Sequence, residues 1–244
     1  MGLPTIAVPQ YTLTIPSTEK QVSYRPFLVK EEKILLIAME SDDQQQMTNA
    51  IQSIIKNCVY EDLDINSMPM FDIEYIFLQL RAKSKGEMVD LTYECEKCKK
   101  PIPTQVDLTK IEVTRTEGHT NKIELSSDVG VMMKYPSISM QDSISTDNTD
   151  VENVFLTVAA CIDSIWDKEN VFSAKDHTKD ELDKFIESLP DESFQKIQKF
   201  FDTVPVLKHE IEVKCLNKNG KGKKASTCGH AETRTLEGLA SFFG

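Results

Sequence analysis

The stretch Tyr93-Glu-Cys-Glu-Lys-Cys98 holds two cysteines separated by two residues, and it lies between two segments of alternating polar and apolar residues. These flanking segments, residues 88–93 and 102–108, predict that the motif forms the turn of a β-hairpin. A Cys-x-x-Cys spacing lets both thiolates reach one metal ion, and a structural zinc ion takes four ligands in a tetrahedron. Two further ligands must therefore come from another part of the chain.

A second group of cysteines lies near the C-terminus, where Cys228 is followed by Gly229 and His230. We predict one structural Zn²⁺ ion, whose four ligands are Cys95, Cys98, Cys215 and Cys228. Twelve residues separate Cys215 from Cys228, whereas a compact ribbon has about two to four in this position. His230 and His209 therefore remain alternatives for one of the four ligands.

Two other interpretations of the cysteines compete with metal binding. A Cys-x-x-Cys pair can be a redox motif, but such motifs usually open a helix in a βαβ unit rather than lie in a hairpin. Disulfides need an oxidising compartment, and the first residues, Met1-Gly-Leu-Pro-Thr-Ile6, have neither the basic segment nor the apolar run of a secretory signal. Cys58 and Cys161 lie in apolar helical segments and are predicted to be buried, inert thiols.

The charge of the chain argues against a protein that wraps nucleic acid. It has 28 basic and 39 acidic residues, a net charge of −11, whereas neutralising phosphates usually requires a basic surface. The one basic patch is a Lys/Gly-rich loop at 217–224, predicted to be solvated, which contains Lys218, Lys221, Lys223 and Lys224. A zinc-ribbon module in a nucleic-acid-binding complex is therefore the alternative function.

The sequence also lacks the motifs of common enzymes. It has no GxxxxGK[ST] phosphate loop, GxGxxG, HExxH or GxSxG. Four bound cysteines would close the zinc shell and leave no position for water or substrate. No apolar run is long enough for a transmembrane helix. We therefore expect no catalysis, no small-molecule substrate and no membrane span.

The periodicity predicts an α+β fold with a mostly helical body, an N-terminal β-hairpin and a small antiparallel sheet that carries the two cysteine knuckles. Helices are predicted from Pro26 to Met39, from Asp42 or Asp43 to Val59, and from Phe71 to near Gly86. Further helices are predicted over 151–166, 178–189 and 190–201, and a strand over 209–215. The predicted regions are an N-terminal hairpin with helices (1–87), a zinc-ribbon region (88–136 with 209–232), a helical region (137–208) and a C-terminal helix (233–244), together forming one composite domain.

Several phrases along the chain together resemble one family. They are Pro9-x-Tyr-x-Leu-x-Ile-Pro-Ser-Thr18 with Tyr24-Arg-Pro-Phe-Leu-Val-Lys-Glu-Glu-Lys33, Leu36-Ile-Ala-Met-Glu40, Phe71-Asp-Ile-Glu-Tyr75, Leu80-Arg-Ala-Lys-Ser-Lys-Gly-Glu87, Tyr93 to Cys98, Met133-Lys-Tyr-Pro136 and Thr235-Leu-Glu-Gly-Leu-x-x-Phe-Phe243. These resemble the baseplate hub or hub-assembly proteins of T-even-like contractile-tailed bacteriophages. In that family the second cysteine pair is a compact Cys-x-x-Cys-Gly-His, from which this chain departs by its insertion before Cys228.

The resemblance implies a late structural protein of viral tail assembly rather than an enzyme. It would act through contacts with other hub, wedge or tail proteins, in the virion baseplate or in the host cytoplasm during assembly. A net negative charge would favour solubility and docking onto basic partners. The candidate contact residues are the Arg25-Pro-Phe27 and Arg81-Ala-Lys83 segments and the Phe242-Phe243 pair.

Overall fold

Helices and antiparallel hairpins alternate along the computed structural model, which describes residues 6–41, 43–141, 149–219, 226–238 and 241. The predicted α+β class is confirmed. The helices within these residues are α1 (Val29–Ser41), α2 (Gln44–Cys58), α3 (Met70–Lys85), α4 (Ile138–Gln141), α5 (Asp150–Cys161), α6 (Lys179–Glu187) and α7 (Asp191–Asp202).

The strands pair antiparallel throughout the described part of the chain. They are β1 (Tyr11–Thr14), β2 (Gln21–Tyr24), β3 (Met88–Glu94), β4 (Pro101–Asp107), β5 (Glu112–Thr114), β6 (Lys122–Glu124), β7 (Gly130–Met133), β8 (Ile162–Trp166), β9 (Val171–Ser173), β10 (Val206–Lys214), β11 (Lys218–Asn219), β12 (Ser226–Thr227) and β13 (Ala231–Glu237). The sheets are β1-β2, β3-β4, β13-β10-β5, β11-β12 and β6-β7-β8-β9.

The chain divides into two compact units. The first comprises Met1–Leu63, Phe71–Thr114 and Val206–Gly244, and the second comprises Asp64–Met70 and Arg115–Pro205. The predicted region 88–136 therefore falls in both units. The reason is strand pairing, because β5 pairs with β10 in the first unit, whereas β6 and β7 pair with β8 and β9 in the second.

Helix α3 is the buried centre of the first unit. Its apolar residues occupy most faces of the helix, which is typical of a helix covered on several sides; those buried are Phe71, Ile73, Ile76, Phe77, Leu78, Leu80 and Ala82. Leu78 and Ala82 pack with Val89 and Leu91 of β3 and with Leu207 of β10. The β3-β4 hairpin and the β10 sheet therefore share one apolar core with α3.

The second unit is built around the β6-β7-β8-β9 sheet, and its core contains Val131, Val158, Ile162, Ile197 and Phe200. Helix α6 has Thr178, the first residue of the predicted helix, as its N-cap. The Thr178 hydroxyl accepts a hydrogen bond from the Glu181 backbone N–H, while the Glu181 carboxylate accepts from Thr178. This reciprocal capping box satisfies backbone donors that the first turn cannot pair internally.

The predicted helix over 151–166 is wrong in its last turn, because α5 ends at Cys161 and residues 162–166 form β8. Ile165 and Trp166 are β-favouring residues, and they pair with Val131 and Gly130 of β7. A Cβ atom at Gly130 would overlap the Trp166 indole, so this close crossing requires glycine. Pairing across the sheet therefore outweighs the helical spacing of the apolar residues.

The prediction of a helix from residue 233 is also wrong as far as Glu237, because this segment is strand β13. Its residues pair with β10 from Ala231↔Lys214 to Glu237↔Lys208, and Leu236 is buried in the core of the first unit. Residues 239–240 and 242–244 lie outside the described residues. Among the described helices, none has the length and apolar character needed to cross a bilayer.

Candidate metal centre

The four cysteines of the predicted site lie together in the first unit. The Cys95 Sγ lies 3.9 Å from the Cys228 Sγ, and the Cys98 Sγ lies 3.6 Å from the Cys215 Sγ. All four sulfurs lie within 4.8 Å of one another. Cys95 and Cys215 are fully buried, and the other two are partly exposed.

The first knuckle closes the β3-β4 hairpin. The Cys95 N–H donates to the Lys100 carbonyl over 3.0 Å, and the Lys99 N–H donates back to the Cys95 carbonyl over 2.9 Å. Lys99 takes the left-handed conformation, with φ of 58°. This turn brings Cys98 back over Cys95, so that both thiols point to one place.

The second knuckle repeats this hydrogen-bond pattern. The Cys215 N–H donates to the His230 carbonyl over 2.8 Å, and the Gly229 N–H donates to the Cys215 carbonyl over 3.0 Å. Gly229 is left-handed like Lys99, with φ of 66°. Cys215, Cys228 and Gly229 therefore correspond to Cys95, Cys98 and Lys99 of the first knuckle.

The twelve-residue gap is accommodated by a hairpin inserted inside the second knuckle. Strands β11 and β12 pair as Lys218↔Thr227 and Asn219↔Ser226, and the Cys228 N–H donates to the Asn217 carbonyl over 2.8 Å. The pairing of β11 with β12 thus brings Cys228 next to Asn217, the residue that precedes the inserted hairpin. Leu216 and Asn217 remain as the two residues between the cysteines, as in a Cys-x-x-Cys turn.

Contacts between the knuckles hold them in register. The Asn217 side-chain amide donates to the Pro101 carbonyl over 2.9 Å, and the Lys100 ammonium donates to the Lys218 carbonyl over 2.6 Å. Beneath the sulfurs, Ile102 of β4 and Val213 of β10 pack with Cys95 and Cys215 in a small apolar cluster. The site is therefore fixed by both strand pairs and not by the turns alone.

The thiols of Cys98 and Cys215 differ in acidity. Burial raises the pKa of Cys98 to about 12, an effect reinforced by the neighbouring thiols. Burial acts in the same direction on Cys215, but hydrogen bonds from the Asn217 backbone and side chain, together with those from Cys98 and Cys95, lower its pKa to about 7. The Asn217 Nδ2 lies 3.3 Å from the Cys215 Sγ. Cys215 is therefore stabilised as a thiolate, the form that binds a metal.

The donor set fits a tetrahedral ion with sulfur ligands. Zinc–sulfur bonds of about 2.3 Å place the sulfurs of a tetrahedron about 3.8 Å apart, and the two close sulfur pairs measured here are 3.9 and 3.6 Å. Four soft thiolates suit zinc or an iron–sulfur centre better than magnesium or calcium. The four cysteines could therefore hold one metal ion.

His230 lies in a different group from the four sulfurs, with Glu96 and Glu232. Its Nε2 is 3.5 Å from a Glu232 oxygen, and Arg234 donates to Glu232 over 2.9 Å and to Glu96 over 3.3 Å. His209 lies on β10 opposite Leu236. All four cysteines are thus brought together without either histidine.

The other predicted residues lie apart from this centre. Cys58 and Cys161 are buried, and burial raises their pKa values to about 11 and about 12. Arg25 and Phe27, predicted as contact residues, are both buried. Arg25 forms an ion pair with Glu31 inside the first unit. Arg81, another predicted contact residue, is partly buried, and this burial lowers the pKa of its guanidinium group. Lys221, Lys223, Lys224, Phe242 and Phe243 lie outside the described residues.

Two residues of the centre were missed from the sequence. Asn217 binds the Cys215 sulfur, and Lys100 spans the two knuckles. The signal for Asn217 was its position two residues after a cysteine, which is where a knuckle supplies backbone N–H groups to sulfur. The signal was hidden because the inserted hairpin separates Asn217 from Cys228 in the sequence.

Comparison with models of protein families identifies a relationship over most of the chain. A family model described as T4 bacteriophage base plate protein matches residues 8–244, nearly the whole chain. No curated protein and no solved structure matches. The matched region includes all four cysteines and all of both units except residues 1–7. The chain therefore belongs to the T4 bacteriophage base plate protein family.

Proposed function

We propose that the chain is a noncatalytic structural or assembly protein of the phage baseplate hub, and that it acts through contacts with other hub, wedge or tail proteins. The observation that carries this proposal is the family match over residues 8–244. A virion tail location and tail-protein partners agree with that membership. The four-cysteine centre agrees with a structural role, because four thiolates would fill the coordination shell of a zinc ion.

Co-expression with the hub, wedge and tail proteins of the same phage tests this role. We expect a stoichiometric complex with at least one hub protein, which co-purifies through size-exclusion chromatography and is absent when that protein is left out. Wedge proteins expressed alone provide the matched control for hub assignment. Binding to wedge proteins with none to hub proteins would contradict the hub, and no complex with any tail protein would contradict the whole proposal.

The metal in the proposal is one structural Zn²⁺ ion, held by Cys95, Cys98, Cys215 and Cys228. The support is the repeated knuckle geometry and the sulfur separations near 3.8 Å. We expect about one zinc per chain by elemental analysis, and Cys98→Ser should lower that content and the unfolding temperature together, because binding the metal is coupled to folding. Cys58→Ser is the matched control, since this thiol is buried elsewhere.

His230→Ala distinguishes the four-cysteine ligand set from the set in which His230 replaces one cysteine. If four cysteines bind the ion, this variant keeps its zinc content, whereas loss of zinc would show that the histidine replaces a cysteine. A preparation that has no metal and retains its full stability would refute the zinc proposal, and it would leave the hub role untouched.

A further inference from the structure

Helix α1 presents two faces of different character. Glu31, Leu35 and Ala38 are buried against the rest of the first unit. On the opposite side Val29 is 80% exposed, Leu36 51% and Ile37 53%. Large apolar side chains that are exposed together on one helix face are typical of a surface that another molecule covers.

The spacing places five residues on this exposed side. At 3.6 residues per turn, Val29, Lys33, Leu36, Ile37 and Glu40 follow one another along the helix, opposite the buried residues. We name these five residues the α1 outer face. Lys33 and Glu40 are both exposed. The face thus has a central apolar pair, Leu36-Ile37, with a cation one turn before it and an anion one turn after it.

This order of charges is self-complementary about a two-fold axis. If a second α1 runs antiparallel across the face with the axis at Leu36-Ile37, Lys33 of each copy lies opposite Glu40 of the other. A parallel pair would instead place lysine against lysine and glutamate against glutamate. An interface that uses the same patch on both subunits is the usual form of a homodimer, and opposite charges across it fix the register.

We propose that the α1 outer face binds the same face of a second copy of this chain, in an antiparallel two-fold pair. The helix has 13 residues, so at 1.5 Å per residue it is about 20 Å long. Such a pair buries less than the roughly 800 Å² per partner of a stable complex. The dimer is therefore weak, and it forms at high local concentration such as that of an assembling particle.

Sedimentation velocity over a dilution series tests the proposal on the full chain. We expect a concentration-dependent shift from monomer to dimer. Leu36→Glu should abolish the shift, because it puts a charge at the centre of the apolar pair. Val171→Glu is the matched control, since Val171 is 73% exposed but lies on β9, and this variant should dimerise like the parent.

Charge reversal tests the antiparallel register. Lys33→Glu alone and Glu40→Lys alone should each weaken dimerisation at least tenfold, since each creates two like-charge pairs. An equimolar mixture of these variants should recover it, because the pairs become opposite again. A chain that stays monomeric at every concentration, or a dimer that Leu36→Glu leaves intact, would overturn the proposal. The proposal would also be overturned if Leu36→Glu abolished binding to a different tail protein and left self-association unchanged.

Discussion

Glu31 is a carboxylate with no exposed surface on the inner side of α1. It accepts hydrogen bonds from Arg25 over 3.0 Å and from the Leu28 N–H over 2.9 Å. Arg25 also donates to the Asn57 carbonyl at the end of α2 over 3.0 Å. This ion pair therefore connects the β1-β2 hairpin with the first two helices. Each of the two buried charges is compensated by the other.

Replacing Glu31 should destabilise the fold strongly. Glu31→Gln leaves the Arg25 charge buried without its partner, and breaking a buried pair in this way costs about 3–5 kcal/mol. Urea unfolding measures the loss. Glu32→Gln is the matched control, because Glu32 pairs with Lys85 at the surface and such pairs contribute at most about 1 kcal/mol. Equal losses in the two variants would contradict this account.

The same pair predicts a dependence on pH. Burial alone would raise the pKa of Glu31, but its bonds with Arg25, the Leu28 N–H and Lys30 outweigh burial and hold it below its ordinary value of 4.5. A lowered folded pKa means that the stabilisation is fully present above that ordinary value and is lost as the pH falls through the folded pKa. The gap in unfolding free energy between the parent and Glu31→Gln should therefore be constant near neutral pH and narrow in acid. A gap that widens in acid would refute the assignment.

Single residues were predicted well where the chemistry is local. The two-residue spacing of Cys95 and Cys98 indicates a turn, and the alternation of polar and apolar residues on either side indicates a hairpin. Both features are therefore predictable from the local sequence. Arg25 is predicted to be a contact residue, but it is buried in the structure. Its partner Glu31 lies on the next element, and no local pattern indicates that an arginine will be buried by a carboxylate.

At the scale of elements, the β11-β12 hairpin is an insertion in the second knuckle. The two residues on either side of it, Asn217 and Cys228, are joined by a backbone hydrogen bond. Removing residues 218–227 would join Asn217 to Cys228 and give Cys-Leu-Asn-Cys-Gly-His. We expect this deletion to fold and to retain about one zinc per chain, because the remaining residues already take the hydrogen-bond pattern of the first knuckle. Elemental analysis and the unfolding temperature check both points.

A deletion of equal length in the β3-β4 hairpin, which is a separate sheet, provides the control for that experiment. Removing ten residues across the turn of the β3-β4 hairpin eliminates Cys95 and Cys98, and it should abolish metal binding. If the 218–227 deletion loses its metal as well, the hairpin is a required part of the site and the correspondence between the two knuckles is wrong.

The long periodic helices were the most predictable elements, and the boundaries between element types were the least. The predictions for α1, α2 and α3 agree with the structure within a few residues. Residues 162–166 and 233–237 were assigned to helices and form strands, because Trp166 and Leu236 are positioned by partners on distant strands. Pairing between distant strands is not visible in a local window, so the helical periodicity of these two segments does not predict their structure.

For the whole molecule, the proposed metal centre predicts that stability differs between the two units. All four cysteines belong to the first unit. Chelation should therefore raise amide hydrogen exchange in β3, β4, β10 and β13, while β6 to β9 serve as the reference within the same chain. Hydrogen exchange with mass spectrometry measures this, because local opening is reported segment by segment. A uniform increase in amide hydrogen exchange over both units would contradict a metal site that stabilises the first unit locally.

The division into units could not be predicted from the sequence. It depends on the pairing of Thr114 with Val206, which returns the chain to the first unit after the whole of 115–205. Composition does not change sharply at either residue. The cysteines did indicate that the middle and the end of the chain belong together, and that expectation agrees with the placement of 88–107 and 206–237 in one unit.

The separation of the cysteines along the chain determines the delay between synthesis of the first knuckle and synthesis of the second. Cys95 and Cys228 are 133 positions apart. At about 5–20 residues per second, the ribosome makes Cys228 roughly 7 to 27 seconds after Cys95. During that interval the first knuckle exposes two thiols that no second knuckle covers. Until Cys228 emerges, the thiols of Cys95 and Cys98 are open to oxidation or to binding a different metal, and production in zinc-replete, reducing conditions should improve the yield of the protein.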